Sequence, residues 1–304
     1  MINRPLIAYN TVNTFDGEVN ILDLGFDSGA HGSWPLGWLL ESGDLDSFKN
    51  WQYYYMDSGR GLQCGRIDAT AAYDDYVIST APDHLLIQQS KLRLNEKLGF
   101  VVWAEIAGAL PGSPYFKLRI RSYDANKVLI NTTTSASYTL TSSWQKVIVY
   151  YNITELDRYY RLSFLGNHGV DIDDGHFGKL LQFKSCSDLK PENIDSVQIT
   201  QMAGGQENVR AFFRKKRAST TFKYVMPSQG ADGIAGYKEI QQWYEDNIFQ
   251  RQSFDFIFDR TDPSASKMRN LWNVRAEGAM KYSMPTGPER YEFNIEMVDI
   301  TPKF

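Results

Sequence analysis

The chain has 304 residues, 42% of them hydrophobic and 22% charged, with a formal net charge of −4 and a pI near 5.7. Such a length accommodates two domains of ordinary size, each burying its own core, and the acidic balance argues against attraction to nucleic acid by the molecule as a whole. The apolar runs are too short to span a bilayer, and Met1–Asn10 lacks the apolar stretch and small-residue cleavage site of a secretory signal, so no membrane insertion is expected.

Residues 1–19 carry no core pattern and read as an extended N-terminal arm, or a strand lent to the last domain or to a neighbouring subunit. From Asn20 to Phe183 the chain is a series of short apolar runs separated by Gly, Pro, Asn, Asp or Ser clusters. The expected strands are Tyr76–Thr80, Leu85–Leu94, Phe100–Ile106, Tyr115–Tyr123, Val128–Thr132, Trp144–Ile153 and Tyr159–Phe164. Strands at such spacing argue for a β-sandwich. Phe100, Val102, Ala104 and Ile106 alternate with Val101, Trp103 and Glu105, while Phe116, Leu118 and Ile120 alternate with Lys117, Arg119 and Arg121. One sheet face is therefore expected to be basic and open.

The order of features in residues 20–185 resembles the jelly-roll carbohydrate-binding modules often attached to glycoside hydrolases. It consists of Asn20–Phe26, Gly37-Trp38, Ser42-Gly43-Asp44, Trp51, Gly59–Leu62, Leu86–Gln89, Trp144–Val147 and Val170–Asp174. The resemblance implies exposed aromatic rings that stack on the apolar face of a sugar. The candidates are Trp34, Trp38, Trp51, Tyr53, Tyr55 and Trp103, and for any one of them the alternative is a place in the core. It also implies a structural calcium joining the first and last strands, with Asp171, Asp173 and Asp174 meeting Asp23 or Asp27. The alternative there is an acidic turn closing the sandwich. No other cofactor is required.

A polar stretch at residues 186–193, with Pro191 in it, breaks the strand rhythm and reads as a linker. Beyond it, Val209–Val225 has apolar ends around Arg214, Lys215, Lys216 and Arg217, which fits a hairpin with a charged bend. A solvated turn or subunit contact explains that run better than nucleic-acid binding does. Tyr237, Ile240, Trp243, Tyr244 and Ile248 recur at three- and four-residue intervals, predicting a helix over Gly236–Phe249. Three strands follow. Phe254, Phe256 and Phe258 alternate with Asp255 and Ile257, then Trp272–Tyr282, then Tyr291, Phe293, Ile295 and Met297 against Glu292, Asn294 and Glu296.

This order of strand pair, helix and three strands over residues 194–304 resembles the tube-type β-sandwich domain of tailed-bacteriophage tail proteins of the distal-tail or minor tail type. It departs from that group in domain order, since distal-tail proteins usually place the tail-binding domain first. The fold expected is mainly β: an N-terminal jelly-roll β-sandwich, then a tail-tube-like β-sandwich or barrel domain with one α-helix. The resemblance implies a structural virion protein of the tail tip or baseplate, made in the host cytoplasm. Its partners would be further copies in a ring, other tail proteins and a host-surface glycan. Phe254, Phe256, Phe258, Tyr291, Phe293 and Ile295 are the expected assembly residues. The alternatives are a purely structural tail protein and a carbohydrate-binding module protein related to glycoside hydrolases.

No catalytic motif stands against this reading. His31, His84, His168 and His176 have no metal-ligand spacing, and there is no Gly-rich phosphate loop or nucleophile elbow. Cys64 and Cys186 are too few for a disulfide framework and are expected as thiols. The protein is not expected to be an enzyme.

Overall fold

The computed structural model describes residues 6–9, 26, 30–43, 45, 47–52, 63–69, 75–80, 85–86, 97–107, 114–184, 190–201, 207–228, 234–245, 253–258, 270–277, 281–283 and 291–299. Its first strands are β1 (Leu6–Tyr9), β2 (Trp38–Ser42), β3 (Ser47–Gln52), β4 (Gln63–Asp68), β5 (Tyr76–Thr80), β6 (Leu85–Leu86) and β7 (Lys97–Ile106). Then come β8 (Phe116–Tyr123), β9 (Leu129–Thr134), β10 (Gln145–Asn152), β11 (Tyr159–Gly166), β12 (Val170–Gln182), β13 (Lys190–Gln201) and β14 (Glu207–Val225). The chain closes with α1 (Tyr237–Trp243), β15 (Ser253–Phe258), β16 (Asn270–Ala276), β17 (Lys281–Ser283) and β18 (Tyr291–Asp299). Two compact units result: Asn10–Leu180 with Arg260–Leu271, and Met1–Tyr9 with Leu181–Asp259 and Trp272–Phe304.

The first unit is a jelly-roll sandwich of two antiparallel sheets. One runs β2-β5-β11-β8-β9, with β6 also paired to β11. The other runs β10-β7-β12-β4-β3. The chain crosses between them repeatedly, from β5 to β7, β8 to β10, and β11 to β12, which wraps one sheet over the other. Alternation in β8 sends Phe116, Leu118 and Ile120 inward, with Leu118 opposite Phe164 and Ile120 opposite Leu162 of β11, into one core with the β7 set Leu98, Phe100, Val102 and Ala104. Phe164 is the hub. Its ring lies 4.4 Å from Trp38, 5.6 Å from Phe100 and 6.0 Å from Phe116. Each such pair contributes about 0.5–1.5 kcal/mol beyond its area burial. Phe26, at a left-handed φ of 57°, closes the cluster, and a Cβ on Gly65 would come within 2.7 Å of its ring. A glycine is what lets that ring lie flat on β4.

The second unit has sheet order β1-β15-β16-β18-β14-β13. Its core gathers Phe183, Phe222, Trp243, Phe254, Phe256, Val274, Phe293, Ile295 and Met297. Helix α1 packs Ile240 and Trp243 into it, with the Trp243 ring edge-on to Phe254 at 5.0 Å. Glu239 accepts from the Gly236 amide at 2.9 Å, half of a capping box that glycine has no side chain to complete. The expected helix over Gly236–Phe249 is observed as α1 over Tyr237–Trp243, and residues 246–249, Ile248 among them, lie outside the described residues.

Three further expectations are corrected. Residues 190–193 are strand rather than linker, paired with Ser219, Ala218, Arg217 and Lys216. The basic run is no bend either, because β14 is a single strand of 19 residues that carries Arg214–Arg217 through its middle. Asp195 stands opposite Arg214 and Glu192 opposite Arg217 in the β13 register. Arg217 also holds Glu277, with donors at 2.6 and 2.9 Å. The expected strand Trp272–Tyr282 is two, β16 and β17, both on one edge of β18.

Candidate functional site

The outward side of β8 carries Lys117, Arg119 and Arg121, all half-buried. In register beside them stand Leu165, Ser163 and Arg161 of β11, with Ser79 of β5 next to Ser163. On the other flank Thr134 is opposite Arg119 and Thr132 opposite Arg121. Glu41 of β2 completes the group. Five strands thus place one polar patch on the face of the sheet opposite the core.

Arg121 grips Glu41 with both terminal nitrogens, one at 2.7 Å, and also reaches Ser163 Oγ at 3.3 Å. Arg119 reaches the same carboxylate at 3.3 Å, and Arg161 stands 4.0 Å from it. Arg161 is itself fixed to Thr80 O at 3.0 Å and to Ser79 Oγ at 2.9 Å. The Nε atoms of Arg119 and Arg121 are buried with no hydrogen-bond partner among the described residues. Burial by itself would raise the Glu41 carboxyl, but the hydrogen bonds from Arg121 and Ser79 and the charges of Arg121 and Arg161 outweigh it and hold the group at about 2. Burial, and then repulsion by Arg121, pulls Arg119 below the ordinary guanidinium range.

Tyrosines mark the two ends of the patch. Lys127 Nζ lies 5.6 Å from the Tyr159 ring at one end and Lys117 Nζ 4.9 Å from the Tyr115 ring at the other. Burial and the neighbouring Asp75 carboxylate push the Tyr115 hydroxyl up to about 12. The alternation of β8 foreshadowed its three cations. Arg161, Ser163 and Tyr159 alternate just as visibly with Tyr160, Leu162 and Phe164, yet only the sheet order brings them and Glu41 alongside.

Of the four expected stacking rings among the described residues, three are engaged elsewhere. Trp38 is 4% exposed and Trp103 is 3% exposed, so both are core rather than sugar platforms. Trp38 is clamped on Phe164, and Trp103 sits mid-sheet between Lys146 and Asp173, on a strand buried on both faces. Trp51 has the Arg66 guanidinium 4.4 Å and Lys49 Nζ 4.9 Å from its ring centre, with His31 alongside at 5.0 Å. Its ring serves cations. Trp34 is 41% exposed, donates to Trp38 O at 2.6 Å and turns an edge to Phe48. It alone among the described candidates keeps substantial exposure. Tyr53 and Tyr55 lie outside the described residues.

The expected calcium ligands fare similarly. Both oxygens of Asp171 accept from Arg66 at 2.7 Å, so a cation there would compete with a guanidinium already in place. Asp173 is buried on the same strand. Asp23, Asp27 and the Asp174 side chain lie outside the described residues, among which no group of three or more His, Cys, Asp or Glu converges on a point.

Of the expected assembly residues, Phe254, Phe256, Phe293 and Ile295 are core, each 2% exposed or less, and Tyr291 stacks on Tyr237 at 4.5 Å. Their side chains pack in or against the core of the second unit. The Phe258 side chain is outside the described residues. Cys64 is buried in β4, and Cys186 also falls outside.

A mainly β chain with a jelly-roll unit and an arginine-rich sheet face is the class these features define. No protein-family profile and no curated protein matches it. Among solved structures, the chain is similar to the enzymatically active domain of bacteriophage CBA120 tailspike protein 4, at 8% identity and a TM-score of 0.37. That match covers 55% of this chain and 21% of the tailspike chain, so the chain spans about a fifth of that relative. It is also similar to the CBM22-1 xylan-binding domain of Paenibacillus barcinonensis Xyn10C, at 16% identity and a TM-score of 0.33, over 51% of this chain and 90% of the other. A family 16 carbohydrate-binding module matches 44% of this chain and 84% of its own length, at 12% identity and a TM-score of 0.29.

Proposed function

We propose that the chain is a non-enzymatic structural protein of a phage tail tip or baseplate. Its second unit assembles with further copies and other tail proteins, while its jelly-roll unit presents the Arg119–Arg121–Arg161 face to a host-surface glycan. The observation that carries the binding half is that face itself, where charged and hydroxyl groups from five strands gather between two tyrosines. Polar groups that fix hydroxyls beside aromatic rings are what a sugar requires.

The same geometry favours binding over hydrolysis. Glycoside cleavage uses two carboxyl groups, one of them protonated as the acid. At this face Glu41 is held ionised and engaged by guanidiniums, so it has no proton to give. The sequence order of residues 194–304 supports the assembly half, as does β13, a 12-residue strand that ends the order of its sheet. A terminal strand pairs readily with another chain. That feature also favours the second reading, a purely structural role.

Two measurements on the full chain test the proposal. Mass spectrometry of purified particles should find it in the tail, and glycan-array binding should be lost when Arg119 and Arg121 are replaced by Ala. Absence from particles removes the tail assignment; no binding to any glycan leaves the purely structural reading.

A further inference from the structure

The candidate face carries more positive charge than it neutralises. Arg119, Arg121 and Arg161 crowd one carboxylate, which gives both oxygens to Arg121 and leaves the others at 3.3 and 4.0 Å. Lys117 continues the row on β8. This local excess stands in a chain whose formal net charge is −4, so it is not a reflection of overall composition. Like charges on adjacent strands destabilise a sheet, and partly buried guanidiniums are poorly compensated by water. A bound anion would relieve both costs.

The donors also select the anion. Guanidinium offers only donors, in a planar fork that matches a carboxylate, whereas neutral sugar hydroxyls need acceptors as well. Among the described residues Glu41 is the one carboxylate that meets these guanidiniums, and it is already engaged. Exposed Thr132 and Thr134 stand opposite Arg121 and Arg119 in register and supply hydroxyls to the same face. We propose that this face is a subsite for an acidic saccharide, a uronate whose carboxylate is taken by Arg119 and Arg161. The inference rests on the glycan-binding reading above and narrows it to one chemical class.

Titration calorimetry on the full chain decides it, with oligogalacturonate, neutral xylo-oligosaccharide of equal length and inorganic polyphosphate as probes. The expected result is uronate binding that weakens as salt rises, with the neutral oligomer far weaker. Arg119→Ala should lower uronate affinity about tenfold or more, the scale of one lost charged hydrogen-bond fork. Arg119→Lys, which keeps the charge without the fork, guards against a variant that fails to fold and should recover only part of the loss. Binding of the neutral oligomer but not the uronate overturns the inference and leaves the glycan reading intact. Uronate binding unchanged in both variants also overturns it, since the charge then acts elsewhere. Polyphosphate bound as tightly as uronate overturns the carboxylate assignment in favour of a general polyanion face. If no saccharide binds, the inference falls together with the reading it rests on.

Discussion

Three guanidiniums meet one carboxylate at Glu41, and the burial, hydrogen bonds and charges around that group give it a pH signature. Burial raises its carboxyl, yet the Arg121 and Ser79 hydrogen bonds and the arginine charges bring it down from the ordinary 4.5 to about 2. A carboxylate with a lowered folded pKa contributes stability that is complete above its unfolded value and lost as pH falls through its folded one. The Glu41 contribution should therefore be whole above about pH 4.5 and gone near pH 2. Thermal unfolding of the native chain and Glu41→Gln across this range is the measurement. The native chain should melt higher at neutral pH, and the gap should close on acidification. A gap that stays constant with pH would mean that Glu41 acts through packing alone.

Elements built from local alternation were legible in the sequence, and those built by distant pairing were not. In β8 and β18, apolar and polar residues alternate cleanly, and the inward sets Phe116–Ile120 and Phe293–Met297 are buried as that period requires. Trp103 shows the limit: a period of two names two faces but does not say that the second is also covered. In β14 the four cations looked like a bend because the strand that pairs with them, in the register from Asp195 opposite Arg214 to Glu192 opposite Arg217, carries Pro191 and a polar run that read as a linker. The candidate site was legible only in its β8 row, because Arg161 and Glu41 reach it through sheet order. A strand lent by the N-terminal arm to the second unit was expected in outline, but its register, Leu6, Ile7 and Ala8 opposite Ile257, Phe256 and Asp255, was not legible. Deleting residues 1–9 removes that ladder at about 1 kcal/mol per hydrogen bond lost. Hydrogen exchange should then speed at the β15 amides and stay unchanged at β8 and β11. Equal protection of β15 in the deleted chain would show that β1 contributes nothing to it.

At the scale of the whole molecule, the jelly-roll face and the terminal strand β13 have different consequences for affinity. A half-buried patch on a sheet, with few aromatic platforms, offers one saccharide only a small contact area, and shallow contacts of this kind bind weakly. Assembly changes the arithmetic without changing the face, because copies held in a ring meet a repeating surface at high effective concentration. Under the proposed function the dispersed chain should bind an immobilised repeating glycan weakly. Copies assembled in a tail should bind about a hundredfold tighter or more. Surface plasmon resonance of the purified chain and of intact particles on the same glycan surface measures the ratio. Arg119→Ala in the particle should lower the assembled affinity by more than it lowers that of the single chain, because each weakened contact is counted once per engaged copy. Equal affinity per copy in the two forms would place the binding strength in the single module and leave the ring with no part in adhesion.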